Sequence, residues 1–150
     1  MKKSPKLLLL CFLTTAIGFT QNLSVDQARQ IHKVFIESGA NGMPFDAVHL
    51  ALSSTRIGWT EDRGSADLIL KFDREVSRTD KSEQGDKIRI GIHWTYTLIA
   101  SLPDGNVLYR DSAPENFVIR TDKSEEGWMK YLRSTPEYTL TRKLTSQLQK

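Results

Sequence analysis

The strongest pattern in the chain is an alternation of apolar and polar residues between positions 88 and 102. The apolar positions are Ile88, Ile90, Ile92, Trp94, Tyr96, Leu98, Ala100 and Leu102. Alternation at period two is typical of a β-strand with one buried face. At about 3.3 Å per residue such a strand would run roughly 50 Å. So long a strand is expected to bend or to carry a bulge, with Gly91 as the site.

Other stretches have strand composition or turn chemistry. Residues 31–37 and 66–76 are dense in β-branched and aromatic residues, which favours strands. Residues 102–106 have the sequence Leu-Pro-Asp-Gly-Asn, which predicts a hairpin turn into a strand over 107–112. We expect residues 116–119 to extend that strand.

A first helix is predicted over residues 44–56. Pro44 suits its first turn, and Gly58 would mark its end. Its apolar stripe consists of Phe45, Val48 and Leu52, which are spaced for one helical face.

The carboxyl end is predicted to be helical as well. A short helix is expected over residues 125–133, and a longer one starts with Thr135 as its cap and Pro136 as its first residue. The apolar face of the longer helix is formed by Leu140, Leu144 and Leu148. The element order predicts a single small α+β sandwich, with a mixed, mostly antiparallel sheet of about four strands and helices on one face.

The first twenty residues have the pattern of a secretory signal peptide. A basic head is followed by an uncharged stretch at residues 7–19 and then by small residues. This predicts a cleaved signal at 1–20, one domain at 21–150 and a secreted or periplasmic protein. The apolar stretch of about 13 residues is shorter than the roughly 20 that span a bilayer. Lipidation at Cys11 is the alternative, but leucines precede that residue where a small residue is required.

Removal of the signal changes the chemistry of the chain. The 21 basic residues less Lys2, Lys3 and Lys6 leave 18, which equals the number of acidic residues. A domain with no net charge lacks the excess of basic residues that is typical of nucleic-acid-binding proteins. The single cysteine also leaves with the signal, so no disulfide and no cysteine-ligated metal is expected. The sequence predicts neither a cofactor nor a metal site.

One octapeptide occurs twice, at residues 78–85 and 120–127, with seven of eight positions identical. The similarity does not extend further, so we interpret the copies as two polar loops rather than units of a repeat protein. Each copy also resembles the start of a calcium loop. The closing glutamate at position 12 is missing from both, which favours solvated turns.

No catalytic residues can be assigned. His32, His49 and His93 lack metal-ligand spacing, and Glu61 and Asp62 are adjacent, so on a strand they would point to opposite faces. The residues Trp128, Tyr131 and Leu132 share one side of a predicted helix, where they are a candidate partner or membrane interface; the alternative is that they close the core.

Two sequence phrases lie within this order of elements: Ala-Asp-Leu-Ile-Leu at 66–70 and Leu-Pro-Asp-Gly-Asn-Val-Leu-Tyr at 102–109. Together they resemble small bacterial envelope α/β domains, the TolB amino-terminal domain and CsgG-like proteins. The resemblance covers residues 30–149. It implies a non-enzymatic binding or envelope-assembly module whose partner is another envelope protein.

Two other functions stay open. A small secreted hydrolase would assemble Asp, Glu and His residues only in the fold, with His93 or Glu61 in a pocket. A carrier would hold a small apolar ligand between sheet and helices. The sequence does not set the oligomeric state.

Overall fold

The computed structural model describes residues 23–37, 45–85, 87–115 and 123–149. The predicted signal peptide, Pro44 and the predicted strand extension at 116–119 lie outside these residues. The helices are α1 (Val25–Gln30), α2 (Phe45–Leu52), α3 (Glu125–Ser134) and α4 (Pro136–Leu148). The strands are β1 (Lys33–Glu37), β2 (Gly58–Thr60), β3 (Leu68–Gln84), β4 (Lys87–Ser101) and β5 (Val107–Pro114). A 3-10 turn occupies Arg63–Ser65. Among the described helices, none has the length and apolarity needed to cross a membrane.

The strands form one mixed sheet in the order β2-β1-β3-β4-β5. Strand β1 runs parallel to both of its neighbours, and β3, β4 and β5 are antiparallel. The α+β class and the mixed sheet are therefore confirmed, but the described residues form five strands rather than four. The additional strand, β2, begins at Gly58, whose N–H donates to the His32 carbonyl at 2.8 Å. The expectation that Gly58 ends a helix was wrong, since α2 already ends at Leu52.

The hydrophobic core lies between the helices and one face of this sheet. Leu68 and Leu70 of β3 and Leu98 of β4 are fully buried, which confirms the predicted inward face of both strands. The predicted apolar face of α4 packs against them and is buried at Leu140, Leu144 and Leu148.

The start of the long carboxyl-terminal helix agrees with the sequence prediction. The Thr135 hydroxyl accepts a hydrogen bond from the N–H of Tyr138, and Pro136 is the first helical residue. A similar cap starts α1, where Ser24 and Gln27 bond reciprocally, although α1 was not predicted.

Asp67 fixes the relative position of the two central parallel strands. Its Oδ2 accepts hydrogen bonds from the N–H groups of His32 and Lys33, both at 2.9 Å. Its own N–H donates to the Lys33 carbonyl at 2.9 Å. The carboxylate therefore holds the start of β1 against the start of β3.

Strands β3 and β4 are much longer than the others, with 17 and 15 residues. The predicted bulge at Gly91 was wrong, because Gly91 pairs regularly with Asp80. The register instead shifts between Val76 and Arg78 of β3, so Ser77 is the additional residue. One additional residue in a strand moves the side chains that follow it to the opposite face of the sheet. Beyond it, the odd-numbered residues of β3 share a face with the even-numbered residues of β4.

Candidate functional site

The outer halves of β3 and β4 form a two-stranded hairpin, residues 77–84 and 87–93, which we call the arm. Every arm side chain that the structure describes is exposed. Ile88, Ile90 and Ile92 are 60%, 63% and 53% exposed. The prediction that the whole alternating strand has one buried face was therefore wrong for these three residues. The part of β4 that the helices cover begins only after Ile92.

The three isoleucines form an apolar stripe only one strand wide. Their cross-strand partners on β3 are polar: Glu83 faces Ile88, Lys81 faces Ile90 and Thr79 faces Ile92. Lys81 and Glu83 form an ion pair at 2.8 Å. The stripe lies on the face that continues into Trp94, Tyr96 and the core, because residues two apart on a strand point the same way.

The isoleucines also direct their backbone groups towards the outer edge of β4. The N–H of Glu115 donates to the Trp94 carbonyl at 2.9 Å, so Trp94 faces the β5 side. The Ser77 hydroxyl donates to the His93 carbonyl at 3.2 Å, so His93 faces β3. Because backbone direction alternates along a strand, the N–H and C=O of the three isoleucines face away from β3. Within the described residues, β5 pairs with β4 only from Thr95 onward.

The two outer edges of the arm differ in character. On β3 the arm contains four charged residues that form two ion pairs, Arg78–Asp80 and Lys81–Glu83. Charged side chains along an edge strand discourage the addition of a further strand. On β4 the corresponding edge presents β-branched isoleucine, a strand-favouring residue. Although Lys87 and Arg89 also lie on β4, its isoleucines make this edge more favourable for pairing than the edge of β3.

The opposite face of the arm carries a charged cluster. Asp80 Oδ2 lies 2.7 Å from His93 Nε2 and 2.9 Å from Arg78 Nη2. The hydrogen bond to His93, together with Arg78, lowers the pKa of the Asp80 carboxyl. Among the described residues, the pair of His93 and Asp80 most resembles the kind of site that the hydrolase alternative would require. However, the nearby Ser77 hydroxyl bonds to the His93 carbonyl and not to its ring.

Neither described part of the repeated octapeptide forms the predicted loop. The first copy lies in β3 up to the turn at Gly85, whose φ is 61°. Its Asp80 and Ser82 are on an extended strand and do not converge as calcium ligands would. In the second copy, residues 120–122 lie outside the described residues, and Ser124 caps α3 by accepting from the N–H of Gly127.

A polar cluster lies where the arm joins the body. The Arg74 guanidinium stacks over the Trp94 ring, with Cζ 3.8 Å from the ring centroid. The Tyr96 hydroxyl donates to Glu115 at 3.4 Å. Glu137 is also buried, with 3% of its surface exposed. Burial raises the pKa of the Glu137 carboxyl and Glu115 raises it further, whereas a hydrogen bond from the backbone N–H of Glu137 and the charge of Arg74 lower it.

The Glu137→Gln variant is expected to be more stable than the wild type at pH 7. A carboxyl whose pKa is raised by folding destabilises the native state as pH rises through the window between its ordinary and its raised pKa. We expect the melting temperature at pH 7 to rise by about 3 °C, the shift that ~1 kcal/mol produces in a chain of this size. The difference should shrink towards pH 4, where the native carboxyl is protonated.

Glu126→Gln is the matched control for that measurement. Glu126 occupies the same second position of α3 that Glu137 occupies in α4, but it is exposed. Its replacement should leave stability unchanged or lower it slightly, since an acid at a helix start is favourable. Equal effects of the two substitutions at all pH values would contradict a burial penalty at Glu137.

The predicted helical interface is divided by the structure. Trp128 and Tyr131 of α3 are half-buried and stacked, with ring centroids 5.4 Å apart. Leu132 is 3% exposed and belongs to the interior. Contact of this helix with a partner or a membrane stays a prediction, and it rests on the two rings.

The other candidate residues are held in separate places. His32 Nδ1 lies 2.9 Å from the Gln30 carbonyl oxygen. His49 stacks on Trp59, with centroids 4.4 Å apart. Asp62 caps the 3-10 turn by accepting from the N–H of Gly64 at 2.9 Å. Each residue has a local structural contact, and the three histidines are not brought together.

The sequence-based reasoning did not identify the β4 edge. One signal was present: the β3 segment that pairs with the isoleucines, residues 78–84, contains no apolar residue. A hairpin with one wholly polar strand offers a helix too little apolar surface to cover. That composition indicates an arm outside the core.

No family model and no curated protein matches the chain. Among solved structures, it is similar to a minor lipoprotein of Acinetobacter baumannii at 17% identity and a TM-score of 0.44, over 79% of this chain and 92% of that one. It is similar to the uncharacterized lipoprotein B of Nitrosomonas europaea at 11% identity and a TM-score of 0.38, over 76% and 79%. A hypothetical protein of Chlamydia trachomatis follows at 12% identity and a TM-score of 0.29, over 79% and 93%.

Two of these three bacterial proteins are described as lipoproteins, and none has a stated function. At identities and TM-scores this low, we draw nothing about the role of this chain from them. The resemblance to the TolB amino-terminal domain and to CsgG-like proteins stays a prediction.

Proposed function

We propose that the protein is a secreted or periplasmic, non-enzymatic binding module of the bacterial cell envelope, which binds an extended protein segment as an added strand at the outer edge of β4. The single observation that supports this most is the arm, where three exposed isoleucines direct their backbone N–H and C=O groups away from β3. Strand addition uses such groups for affinity and alternate side chains for selectivity.

Within the described residues, the arm consists of only two strands. A two-stranded hairpin is only marginally stable in water, and further strands or packing are needed to stabilise it. A strand beside β4 would continue the antiparallel pairing that β5 begins at Thr95. It would also cover the flanks of the isoleucines, each of which is more than half exposed.

Site-specific photo-crosslinking in the producing cells tests this function. A photoreactive residue in place of Ile90 is expected to give a discrete crosslinked protein product. The same residue in place of Lys81, the cross-strand neighbour on β3, is expected to give none. The captured segment, made as a synthetic peptide, should bind the purified protein and suppress the crosslink.

Two results would contradict the proposal. Equal products from both positions would indicate contact without use of the β4 edge. Products formed only with lipid would indicate a membrane surface in place of a protein strand.

A further inference from the structure

We propose that the strand which adds to β4 is β4 of a second copy of this chain, antiparallel to the first about a twofold axis at Ile90. This inference rests on the proposed function, since it names the partner of the same edge. The arm would thereby form the centre of a four-stranded sheet in the order β3-β4-β4-β3.

The apolar pattern of the edge is self-complementary. Ile88 and Ile92 lie at equal distances on either side of Ile90. Antiparallel pairing about Ile90 places the two copies of that residue opposite each other and Ile88 opposite Ile92 of the partner subunit. A twofold interface requires this kind of symmetry, because the same surface must contact itself.

The backbone direction matches the same register. The three isoleucines are the arm residues of β4 whose N–H and C=O groups face the outer edge. Pairing about Ile90 makes each of them a hydrogen-bonded pair, with about six hydrogen bonds in all, two per pair. Directly opposed β-branched side chains on one face add to the stability of such a sheet.

Neighbouring registers fit less well. A centre at Ile92 would require the edge at Trp94, whose carbonyl already accepts from the N–H of Glu115. A centre at Ile88 would bring the tight turn at Gly85, with φ of 61°, into the paired region. Ile90 is the centre that uses all three isoleucines and excludes both obstacles.

On β4 itself, pairing about Ile90 places Lys87 opposite His93 and Arg89 opposite Gly91 of the partner subunit, so no Lys or Arg directly opposes another. Lys81 and Glu83 lie on β3, one strand away from the axis, and they pair with each other at 2.8 Å. The contact is small, so we expect a weak dimer with a dissociation constant in the micromolar range.

Proline substitution on the two strands provides a matched pair of variants. The protein is prepared as residues 21–150, which retain every described residue. Proline is tolerated in an edge strand where the N–H faces outward, and it blocks pairing there. By the alternation above, this holds for Ile90 on β4 and for its partner Lys81 on β3.

Sedimentation equilibrium across the micromolar range is expected to show a monomer–dimer equilibrium for the wild type and for Lys81→Pro. Ile90→Pro should stay monomeric at every concentration, with an unchanged circular dichroism spectrum in the monomer. Dissociation by both substitutions, or by neither, would overturn the inference, because the dimer would then not use the β4 edge.

Cysteine crosslinking tests the register without a proline. No cysteine occurs in residues 21–150, so an introduced one stands alone. Under oxidation, Ile90→Cys should form a disulfide-linked dimer with itself. Ile88→Cys and Ile92→Cys should do so only when mixed, since each residue faces the other. Efficient self-crosslinking of Ile88→Cys would overturn the proposed register.

A monomeric wild type at the highest concentration would also overturn the inference. If the amides of Ile88, Ile90 and Ile92 then resist hydrogen exchange, the edge is covered by this chain itself, and the proposed function fails as well. If they exchange freely and position 90 still crosslinks a different protein in cells, the proposed function stands and only the second copy is excluded.

Discussion

Replacing Leu98 by alanine is expected to lower the free energy of unfolding by about 2–5 kcal/mol, whereas Ile90→Ala should change it by less than about 0.5 kcal/mol. Both residues belong to the apolar side of β4, eight positions apart. Leu98 is fully buried among residues of β3, β5 and α4, so its truncation leaves a cavity in the core. Ile90 is mostly exposed, so its truncation removes little buried surface.

Urea unfolding of the two variants at low protein concentration measures this contrast. Dilution keeps any association of the arms out of the comparison. A loss at Ile90 similar to the loss at Leu98 would show that the arm is packed against something in the monomer, and the open edge of β4 would no longer be supported.

The alternation along β4 predicts its strand state well but not its burial. The apolar residues at every second position from Ile88 to Ala100 identify the side chains that share one face of the strand. Burial depends on what packs against that face, and here the helices cover Leu98 but leave Ile90 exposed. The deciding information lies in the paired strand, where Phe72 gives way to charged residues beyond Val76.

The elements that the sequence did not predict are short. Strand β2 has three residues, too few for a periodic signal, and it forms because the N–H of Gly58 reaches the His32 carbonyl. Helix α1 has six residues. Its capping box of Ser24 and Gln27 was a detectable signal, but the helix contributes only Ala28 as a buried residue. The positions of such short elements depend on long-range hydrogen bonds rather than on the local secondary-structure preference of their residues.

The candidate site likewise combines features that local sequence predicts with features that depend on long-range contacts. Half-buried aromatic residues that share one side of a helix, such as Trp128 and Tyr131, can be recognised from their spacing alone. The direction of the backbone groups along β4 cannot, because it is set by contacts between residues far apart in sequence. The hydrogen bond between Glu115 and Trp94 joins residues that are 21 positions apart in sequence. The bulge at Ser77 changes which residues of β3 and β4 share a face, and no glycine marks its position in the sequence.

The Asp67→Ala variant is expected to lose about 2 kcal/mol of stability, because two hydrogen bonds to an ionised carboxylate disappear together. The N–H groups of His32 and Lys33 each donate to Asp67 Oδ2 at 2.9 Å. His32 and Lys33 are both exposed, so water replaces part of the loss and keeps the effect below the roughly 3–6 kcal/mol that two buried bonds to a charged group would give. The sequence phrase at 66–70 thus contains a residue that holds two parallel strands in register.

Asp73→Ala is the matched control for that variant, measured by urea unfolding at pH 7. Asp73 lies in β3, the strand that begins directly after Asp67, and forms an exposed ion pair with Lys71 at 3.1 Å. Exposed pairs of this kind contribute about 0–1 kcal/mol. Asp67→Asn should fall between the two, since an amide oxygen still accepts but carries no charge. Hydrogen exchange at the β1 amides should accelerate in Asp67→Ala and not in Asp73→Ala. Equal losses would mean that Asp67 acts only as a surface charge and that other contacts set the β1–β3 register.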